Sequence, residues 1–287
     1  MKTSIFSLIF KEEPLEKVIP LVKEIGYDGL ELWGKAPHFP VDTTVKRAKE
    51  IGALLDAHQL VVPAIGAYVG DFSTASDPEC EKALEEVERY FQLMDYVGCD
   101  LLRVACGGPH AFLAQSYHYE KALYWIKKCG VLAKEYNKKI VMEIHNGSLI
   151  ETVEAAKKFM DQLDCEQVGL IHDAGNMYIT DTDYGQYSVD ILGQHIFHVH
   201  VKDEKRIQDD SLPGAFHNRT VYGDEIFQQS MLGEGAVDHI PLFKALIKQG
   251  YQGFLSCECH APVPPMERAK KEWMELTRQI QLAKNEI

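Results

Sequence analysis

The chain has 287 residues, of which 46% are hydrophobic and 25% are charged, and its formal net charge is −13 with a pI of about 5.4. This composition supplies a large apolar core, and its acidity argues against nucleic acid as the main partner, because phosphate binding needs clustered Lys and Arg. The seven cysteines are scattered, the N-terminus lacks a signal-peptide pattern and no apolar run could span a membrane, so we expect a cytoplasmic protein without disulfides.

Eight short apolar segments alternate with longer amphipathic segments. The apolar segments are rich in β-branched residues, which is typical of parallel strands that are covered on both faces. They are TSIFSLIF (3–10), GLELWG (29–34), LVVPAIGAY (60–68), DLLRVACGG (100–108), KIVMEIHNG (139–147), QVGLIHDAG (167–175), IFHVHVKD (196–203) and GFLSCECH (253–260). Eight such units predict an α/β protein, a single-domain (β/α)8 TIM barrel over residues 1–287. A doubly wound open sheet is the alternative, but no glycine-rich phosphate loop follows an early strand.

Proline and glycine mark several expected helix boundaries. Asp77-Pro78 opens one predicted helix, because proline is tolerated in the first turn. Gly26, Gly98 and Gly250 each precede a predicted strand and are expected to end helices in the left-handed conformation.

The connection 204–236 differs from the others. It is polar, contains proline and several glycines, and lacks a clear hydrophobic period. A loop of this length within a compact domain is usually functional, and after the seventh strand it would lie over the top of the barrel.

Polar side chains near the ends of strands five to eight are the main candidates for a site. Side chains of barrel strands alternate between the interior and the helix layer, and active sites form at the carboxyl ends of the strands. This alternation predicts that one residue from each of four consecutive strands points inward at the same rim. These residues are Glu143, Asp173, His200 and Glu258.

Three carboxylates and one imidazole at one rim predict a site for one divalent metal ion. Without a cation, carboxylates that converge in a pocket of low dielectric repel one another. The ligand types are compatible with Mn, Mg, Co or Zn. The alternative is that each of the four is a buried polar residue with ordinary hydrogen-bond partners.

The same alternation assigns the neighbouring residues to two faces. His145 and Lys202 are expected to point inward and are candidate catalytic acids, although Lys202 could instead bind a substrate anion or form a buried salt bridge with Glu31. Phe197 is expected to face the helices. The outward parity of Cys257 argues against a metal role for the Cys-x-Cys pair that it begins.

Three further residues are candidates for substrate binding. Trp33 and Tyr68 could form an apolar wall beside the substrate, and plain packing is the alternative for both. Arg103 could bind an anionic group or form a salt bridge. His198 lies deeper than His200 and is expected to be a hydrogen-bonded core residue.

The motifs taken together resemble the xylose isomerase-like TIM-barrel superfamily over essentially the whole chain. They are Gly29-Leu30-Glu31-Leu32-Trp33, Glu143, Gly169 to Asp173, His200-Val201-Lys202-Asp203, Gly233-Glu234-Gly235-Ala236-Val237-Asp238, Gly250-Tyr251-Gln252-Gly253 and Glu258. Members of that superfamily include sugar isomerases, ketose 3-epimerases, inosose and 3-dehydroshikimate dehydratases, and endonuclease IV.

The resemblance implies roles for individual residues. In the ketose 3-epimerases, the residues that match the four predicted ligands bind one metal, and the two glutamates exchange protons with the substrate. The 3-dehydroshikimate dehydratases carry residues like Tyr68, Arg103, Lys202 and the pair Glu143-x-His145, and Asn218-Arg219-Thr220 is also similar to them.

One position departs from the pattern of both groups. Asn176 stands where they usually have a histidine, three residues after the aspartate. We place Asn176 among the candidate substrate-binding residues, and the departure indicates that the proton transfers here differ from those of the relatives.

These features predict a metal-dependent isomerase or epimerase of a sugar or related polyhydroxy carbonyl compound. Proton transfer would pass through a metal-stabilised enediolate, with Glu143 and Glu258 as base and acid. The alternative is a dehydratase of the 3-dehydroshikimate or inosose type, in which His145 or Lys202 helps to expel a hydroxyl.

Two other functions are further alternatives. A DNA-repair enzyme of the endonuclease IV type would need more metal ligands and a basic surface, and the net charge of −13 argues against it. A non-catalytic carbohydrate sensor would keep the barrel without the reaction. Barrels of this kind often pair, so a homo-oligomer is left open.

Overall fold

A computed structural model describes residues 1–286, and it contains a closed barrel of eight parallel strands. The barrel strands are β1 (Lys2–Phe6), β2 (Gly29–Trp33), β3 (Ile65–Gly70), β4 (Leu101–Ala105), β5 (Lys139–Glu143), β6 (Val168–Asp173), β7 (Ile196–Val201) and β11 (Phe254–Cys257). They follow the order β1-β11-β7-β6-β5-β4-β3-β2 around the barrel. The predicted single-domain TIM barrel is therefore confirmed.

Helices connect the strands and cover the outside of the barrel. They are α1 (Leu15–Ile25), α2 (Val45–Ala57), α3 (Asp77–Met94), α4 (Ser116–Glu135), α5 (Val153–Leu163), α6 (Ala174–Ile179), α7 (Gln186–Leu192), α8 (Ile240–Gln249) and α9 (Pro265–Asn285). Helix α3 begins at the predicted Asp77-Pro78 step. Gly26, Gly98 and Gly250 end helical segments with φ angles of 115°, 64° and 80°, which confirms the predicted left-handed caps.

The third strand begins later than the apolar segment 60–68 indicated. Val61 makes only an isolated bridge to Gly29, and regular pairing begins at Ile65. Pro63 lies between them and has no N–H to donate to a neighbouring strand, which delays the start of β3.

The prediction that Phe197 faces the helices is wrong. The pairing of β6 with β7 shifts register between Leu170↔Ile196 and Ile171↔His198, so Phe197 occupies a bulge. Its ring packs into the barrel interior above Gly169, where an added Cβ would lie 2.2 Å from the ring. Because the bulge takes up one residue, the side chains that follow Phe197 in β7 point in the predicted directions.

The barrel interior and the helix layer have separate apolar clusters. The floor of the interior is formed by apolar side chains from four strands and the β2–β3 loop, namely Ala64, Leu101, Val141, Ile171 and Phe197. Cys257 and Cys259 belong to the larger cluster between strands and helices, as the strand parity predicted. Among residues 1–286, no helix combines the length and the apolar character that crossing a bilayer requires.

The segment after β7 forms a sheet, where the sequence had indicated an irregular loop. Its strands are β8 (Asp203–Ile207), β9 (Ala215–Thr220) and β10 (Gly223–Ser230), which pair antiparallel in the order β8-β10-β9. Asn146 donates its side-chain amide to Asn218 Oδ1 at 2.7 Å and so ties this sheet to the loop after β5. This contact lies at the carboxyl end of the barrel, and the expected position over the top of the barrel stays a prediction.

Candidate active site

The carboxyl ends of four barrel strands bring four ionisable side chains together. Glu143 ends β5, Asp173 ends β6, His200 lies near the end of β7, and Glu258 directly follows β11. Each offers one ligand atom, and these atoms all lie within 4.8 Å of one another in a buried position. The alternation of strand side chains therefore predicted the grouping correctly. We call these four residues the quartet.

Several polar atoms of the quartet face one another without hydrogen bonds. Asp173 Oδ2, His200 Nδ1 and Glu258 Oε2 are buried and have no hydrogen-bond partner. His200 Nδ1 lies 3.0 Å from Glu258 Oε2 and 3.6 Å from Glu143 Oε1. A buried polar group without a partner is costly, and three carboxylates with one imidazole form a donor set that suits a divalent cation. The residues present therefore fit such an ion.

The surroundings shift the pKa values of the quartet carboxyl groups in opposite directions. Burial raises the pKa of Asp173 to about 6, and the nearby Glu143 and Glu258 carboxylates add to the rise while Lys202 opposes it. Burial also opposes ionisation of Glu143, but the Arg103 guanidinium and His200 together outweigh it and hold the pKa of Glu143 well below its usual range. The quartet thus contains mutual repulsion that bound positive charge would relieve.

Arg103 forms an ion pair with the quartet. Its Nη2 lies 2.6 Å from Glu143 Oε2, and its Nη1 donates to the Ala67 carbonyl at 3.2 Å. The guanidinium also stacks 4.8 Å from the ring centroid of Tyr68, which is 43% exposed. The salt-bridge interpretation of Arg103 is therefore correct, and its partner is a member of the quartet.

Asn176 and Lys202 extend the same network. The Asn176 amide donates to Glu143 Oε1 at 2.8 Å, and Lys202 Nζ donates to Asn176 Oδ1 at 2.8 Å. Lys202 Nζ also lies 3.2 Å from Asp173 Oδ2. The proposed salt bridge between Lys202 and Glu31 is wrong, because the ammonium pairs with Asp173 at the rim.

A cavity of about 380 Å³ adjoins the quartet at the ends of β3, β4 and β5. Tyr68, Arg103, Glu143 and His145 are among the residues that line it. His145 Nδ1 donates to the Asn146 carbonyl at 2.7 Å, which leaves Nε2 without its proton in the neutral ring. Burial lowers the pKa of His145, so the neutral ring is favoured.

Trp33 lies at the end of β2 and is not among the residues that line this cavity. Its indole packs edge to face against His38, with ring centroids 5.7 Å apart. Its Nε1 is buried and has no hydrogen-bond partner, which leaves one donor available near the rim. Its expected contact with substrate stays a prediction.

The contacts of Glu31 with His198 and His200 were missed by the sequence interpretation. Its carboxylate is fully buried, and it accepts hydrogen bonds from His198 Nε2 at 2.9 Å, from Ser256 Oγ at 2.7 Å and from His200 Nε2 at 3.1 Å. Burial opposes its ionisation, but the two histidines outweigh it and lower its pKa to about 2. The available signal was an acidic residue of inward parity within the apolar segment GLELW. His198 is a hydrogen-bonded core residue, as expected.

Asp203 explains the glycine-rich motif that follows β10. Its carboxylate accepts hydrogen bonds from the backbone N–H groups of Gly233, Gly235 and Val237 at 2.8 to 3.0 Å. A Cβ at Gly235 would lie 2.0 Å from Asp203 Oδ1. The motif therefore folds the chain around a carboxylate that stands two residues beyond the end of β7.

The fold and the site define a TIM-barrel protein with a cluster of acidic residues and histidine at the carboxyl ends of its strands. The family model described as xylose isomerase-like TIM barrel matches residues 19–280. The chain belongs to this family, and the resemblance that the motifs indicated is confirmed.

Individual relatives add detail. An inosose dehydratase of Clostridium perfringens (strain 13 / Type A) is 32% identical, with 91% of this chain and 88% of the relative covered. The probable 3-DHS dehydratase of Bacillus anthracis has a similar fold, with a TM-score of 0.79, 21% identity and coverage of 96% and 99%. The IOLI protein with a bound zinc atom has a TM-score of 0.80, 16% identity and 99% coverage of both chains.

Proposed function

We propose that the chain binds one divalent metal ion through the quartet and dehydrates a small polyhydroxy carbonyl compound of the inosose type. The observation that carries this proposal is the convergence of four ligand atoms within 4.8 Å, three of them buried without hydrogen-bond partners. The bound zinc of the structurally similar IOLI protein supports the metal, and the name of the inosose dehydratase relative supports the reaction.

A bound divalent cation would supply Lewis-acid polarisation of a substrate carbonyl, which acidifies the neighbouring C–H bond. Glu258 is the proposed base for that proton. Its Oε2 has no hydrogen-bond partner, whereas both oxygens of Glu143 are engaged, one by Arg103 and one by Asn176. Glu258 Oε2 lies 3.0 Å from His200 Nδ1, but no amide or guanidinium holds it, so it can accept a proton without first breaking such a bond.

Lys202 is the proposed donor to the departing hydroxyl. Burial disfavours its charge, but the Asp173 and Glu258 carboxylates outweigh it and raise the pKa of the ammonium. The group therefore stays protonated near neutral pH, and its Nζ lies 3.9 Å from Glu258 Oε2. Base and donor thus lie close enough to act on adjacent carbons of one small molecule.

The remaining candidates would hold the substrate. His145 leaves Nε2 available to accept a hydrogen bond from a hydroxyl group. Tyr68 supplies a half-exposed ring at the cavity, and the cavity volume of about 380 Å³ suits a small molecule.

Isomerisation or epimerisation is the second candidate reaction. Glu143 and Glu258 are the two glutamates of the quartet. They extend from β5 and from the end of β11, and β6 and β7 lie between these strands in the barrel order. Two carboxylates that approach from different sides could remove a proton from one face and return one to the other, and such an exchange needs no departing hydroxyl.

Incubation of the Mn2+-loaded protein with an inosose in D2O tests both reactions. Loss of one water, detected by mass spectrometry, supports the dehydratase. Incorporation of deuterium at carbon without loss of water supports the epimerase or isomerase instead. Binding of substrate with neither outcome would favour the non-catalytic sensor and overturn the proposal. The Glu258→Gln variant should lose the reaction, and Glu272→Gln, a change to a buried glutamate in the helix layer, should keep it.

A further inference from the structure

One carboxylate connects three strands across the centre of the barrel, beneath the quartet. Glu31 extends from β2, while His198 and His200 extend from β7 and Ser256 from β11. Glu31 Oε2 accepts hydrogen bonds from His198 and Ser256, and His200 Nε2 lies 3.1 and 3.2 Å from the two oxygens of Glu31. A carboxylate accepts hydrogen bonds only, so the hydrogen between Glu31 and His200 belongs to Nε2.

This contact determines which nitrogen of His200 faces the quartet. With Nε2 used as a donor to Glu31, Nδ1 is the nitrogen that points at Glu258 Oε2, 3.0 Å away. Phe6 stacks on the same imidazole, with ring centroids 5.9 Å apart and an angle of 23° between the planes. The rotation of the ring is therefore restrained, and Nε2 keeps its hydrogen.

We propose that Glu31 is a positioning residue that orients His200 so that its Nδ1 is presented to the metal ion. The inference rests on the proposed metal site. Histidine ligands commonly donate their other N–H to a carboxylate, and loss of such a partner typically lowers metal affinity by about 10- to 100-fold.

A deeper metal site is the alternative use of the same residues. Ligand atoms of Glu31, His198 and His200 also lie within 4.8 Å of one another. The Glu31 carboxylate and the Nε2 atoms of the two histidines are hydrogen-bonded to one another, however, whereas Asp173 Oδ2, His200 Nδ1 and Glu258 Oε2 in the quartet are unpartnered. The deeper three residues thus form a satisfied hydrogen-bond network, and the quartet is the set that still offers unpartnered ligand atoms.

Mn2+ titration by isothermal calorimetry tests the inference. Glu31→Gln should bind Mn2+ about 10- to 100-fold more weakly than the wild type. Glu272→Gln is the matched control, because it makes the same change at a buried glutamate outside the interior, and its affinity should be unchanged. Glu31→Asp retains the charge but withdraws the carboxylate by one methylene, so it should also bind weakly. Wild-type affinity in both folded Glu31 variants would overturn the inference.

Two further measurements separate the possible failures. In the metal-free wild type, the Nε2–H proton of His200 should give a downfield NMR signal that exchanges slowly and shifts in Glu31→Gln; its absence would overturn the positioning role. His198→Gln should retain metal binding, and a loss as large as that of a quartet variant would place the ion in the deeper set and overturn the inference. A wild type that shows the NMR signal but binds no Mn2+ would overturn the proposed function and the positioning role with it.

Discussion

The side-chain amide of Asn176 donates a hydrogen bond of 2.8 Å to Oε1 of Glu143. The other end of the amide accepts a hydrogen bond from Lys202, so one neutral side chain separates a carboxylate from an ammonium group. Asn176 is 2% exposed, and both of its polar ends are used. Within residues 1–286, its contacts are those of a residue that supports the quartet, while its predicted contact with substrate stays untested.

Asn176→Ala should destabilise the metal-free protein. The change removes one buried hydrogen-bond partner from Glu143 and one from Lys202, and each such loss costs about 1–3 kcal/mol. The free energy of unfolding, measured by urea denaturation, should fall by at least that amount. Asn146→Ala, which removes one partly buried bond to Asn218, is the control and should cost about 0.5–1.5 kcal/mol. Equal losses in the two variants would contradict the supporting role.

Divalent metal should stabilise the fold. An ion that binds only the native state at 100 times its Kd adds about 2.7 kcal/mol, and here it also relieves repulsion among three carboxylates. The melting temperature should therefore rise with Mn2+ and fall again with a chelator. Asp173→Asn removes one ligand charge and should weaken Mn2+ binding by more than about tenfold, since even loss of a supporting residue costs that much. An unchanged melting temperature with Mn, Mg, Co and Zn would contradict the metal site.

Arg103→Lys should lower the free energy of unfolding, although the substitution keeps the positive charge. Lysine cannot make the paired contacts of the guanidinium to Glu143 and the Ala67 carbonyl, nor stack in the same way on Tyr68. Loss of a charge-assisted hydrogen bond at a buried site costs about 1.5–3 kcal/mol. Arg47→Lys is the control, because Arg47 pairs with Glu16 at the exposed surface, where such pairs contribute about 0–1 kcal/mol. Similar losses of unfolding free energy in the two variants would contradict a large contribution of the contact between Arg103 and Glu143.

Glu272 should make the stability of the protein depend on pH. Burial raises the pKa of this carboxyl to about 7, and Asp203 adds to the rise while Arg268 opposes it. A raised carboxyl pKa means that the native state binds the proton more tightly than the unfolded state. The contribution of this carboxyl group to the free energy of unfolding is therefore fully present below the pKa that it has in the unfolded chain. It is lost as the pH rises from that value through about 7, and the loss reaches about 3 kcal/mol.

Glu272→Gln should remove that loss, so its unfolding free energy should exceed that of the wild type above pH 7. Glu275→Gln on the same helix is the control with the opposite sign, because its hydrogen bond to Arg278 lowers the pKa of Glu275. This variant should be slightly less stable than the wild type at neutral pH. A wild-type stability that does not fall between pH 5 and 8 relative to Glu272→Gln would contradict the prediction.

Much of the barrel and the grouping of the quartet could be predicted from local patterns. Parallel strands alternate their side chains, and their carboxyl ends meet at one rim, so Glu143 and Asp173 were placed together without knowledge of any contact. The partners of these side chains were harder to predict. A salt bridge to Glu31 was one alternative for Lys202, but Lys202 pairs with Asp173, because its position beyond the end of β7 places the ammonium at the rim. Glu31 bonds to His198 and His200 beneath it.

The sequence by itself determined the eight strands, the left-handed helix caps and the inward direction of the polar side chains, since each depends on residues that are close in the chain. Only the tertiary structure decided the bulge at Phe197, the sheet of residues 203–230 and the contacts of Glu31. These features depend on how strands align with their neighbours. That alignment is set by packing and hydrogen bonds between residues far apart in the chain, as between Glu31 and His200, which 169 positions separate.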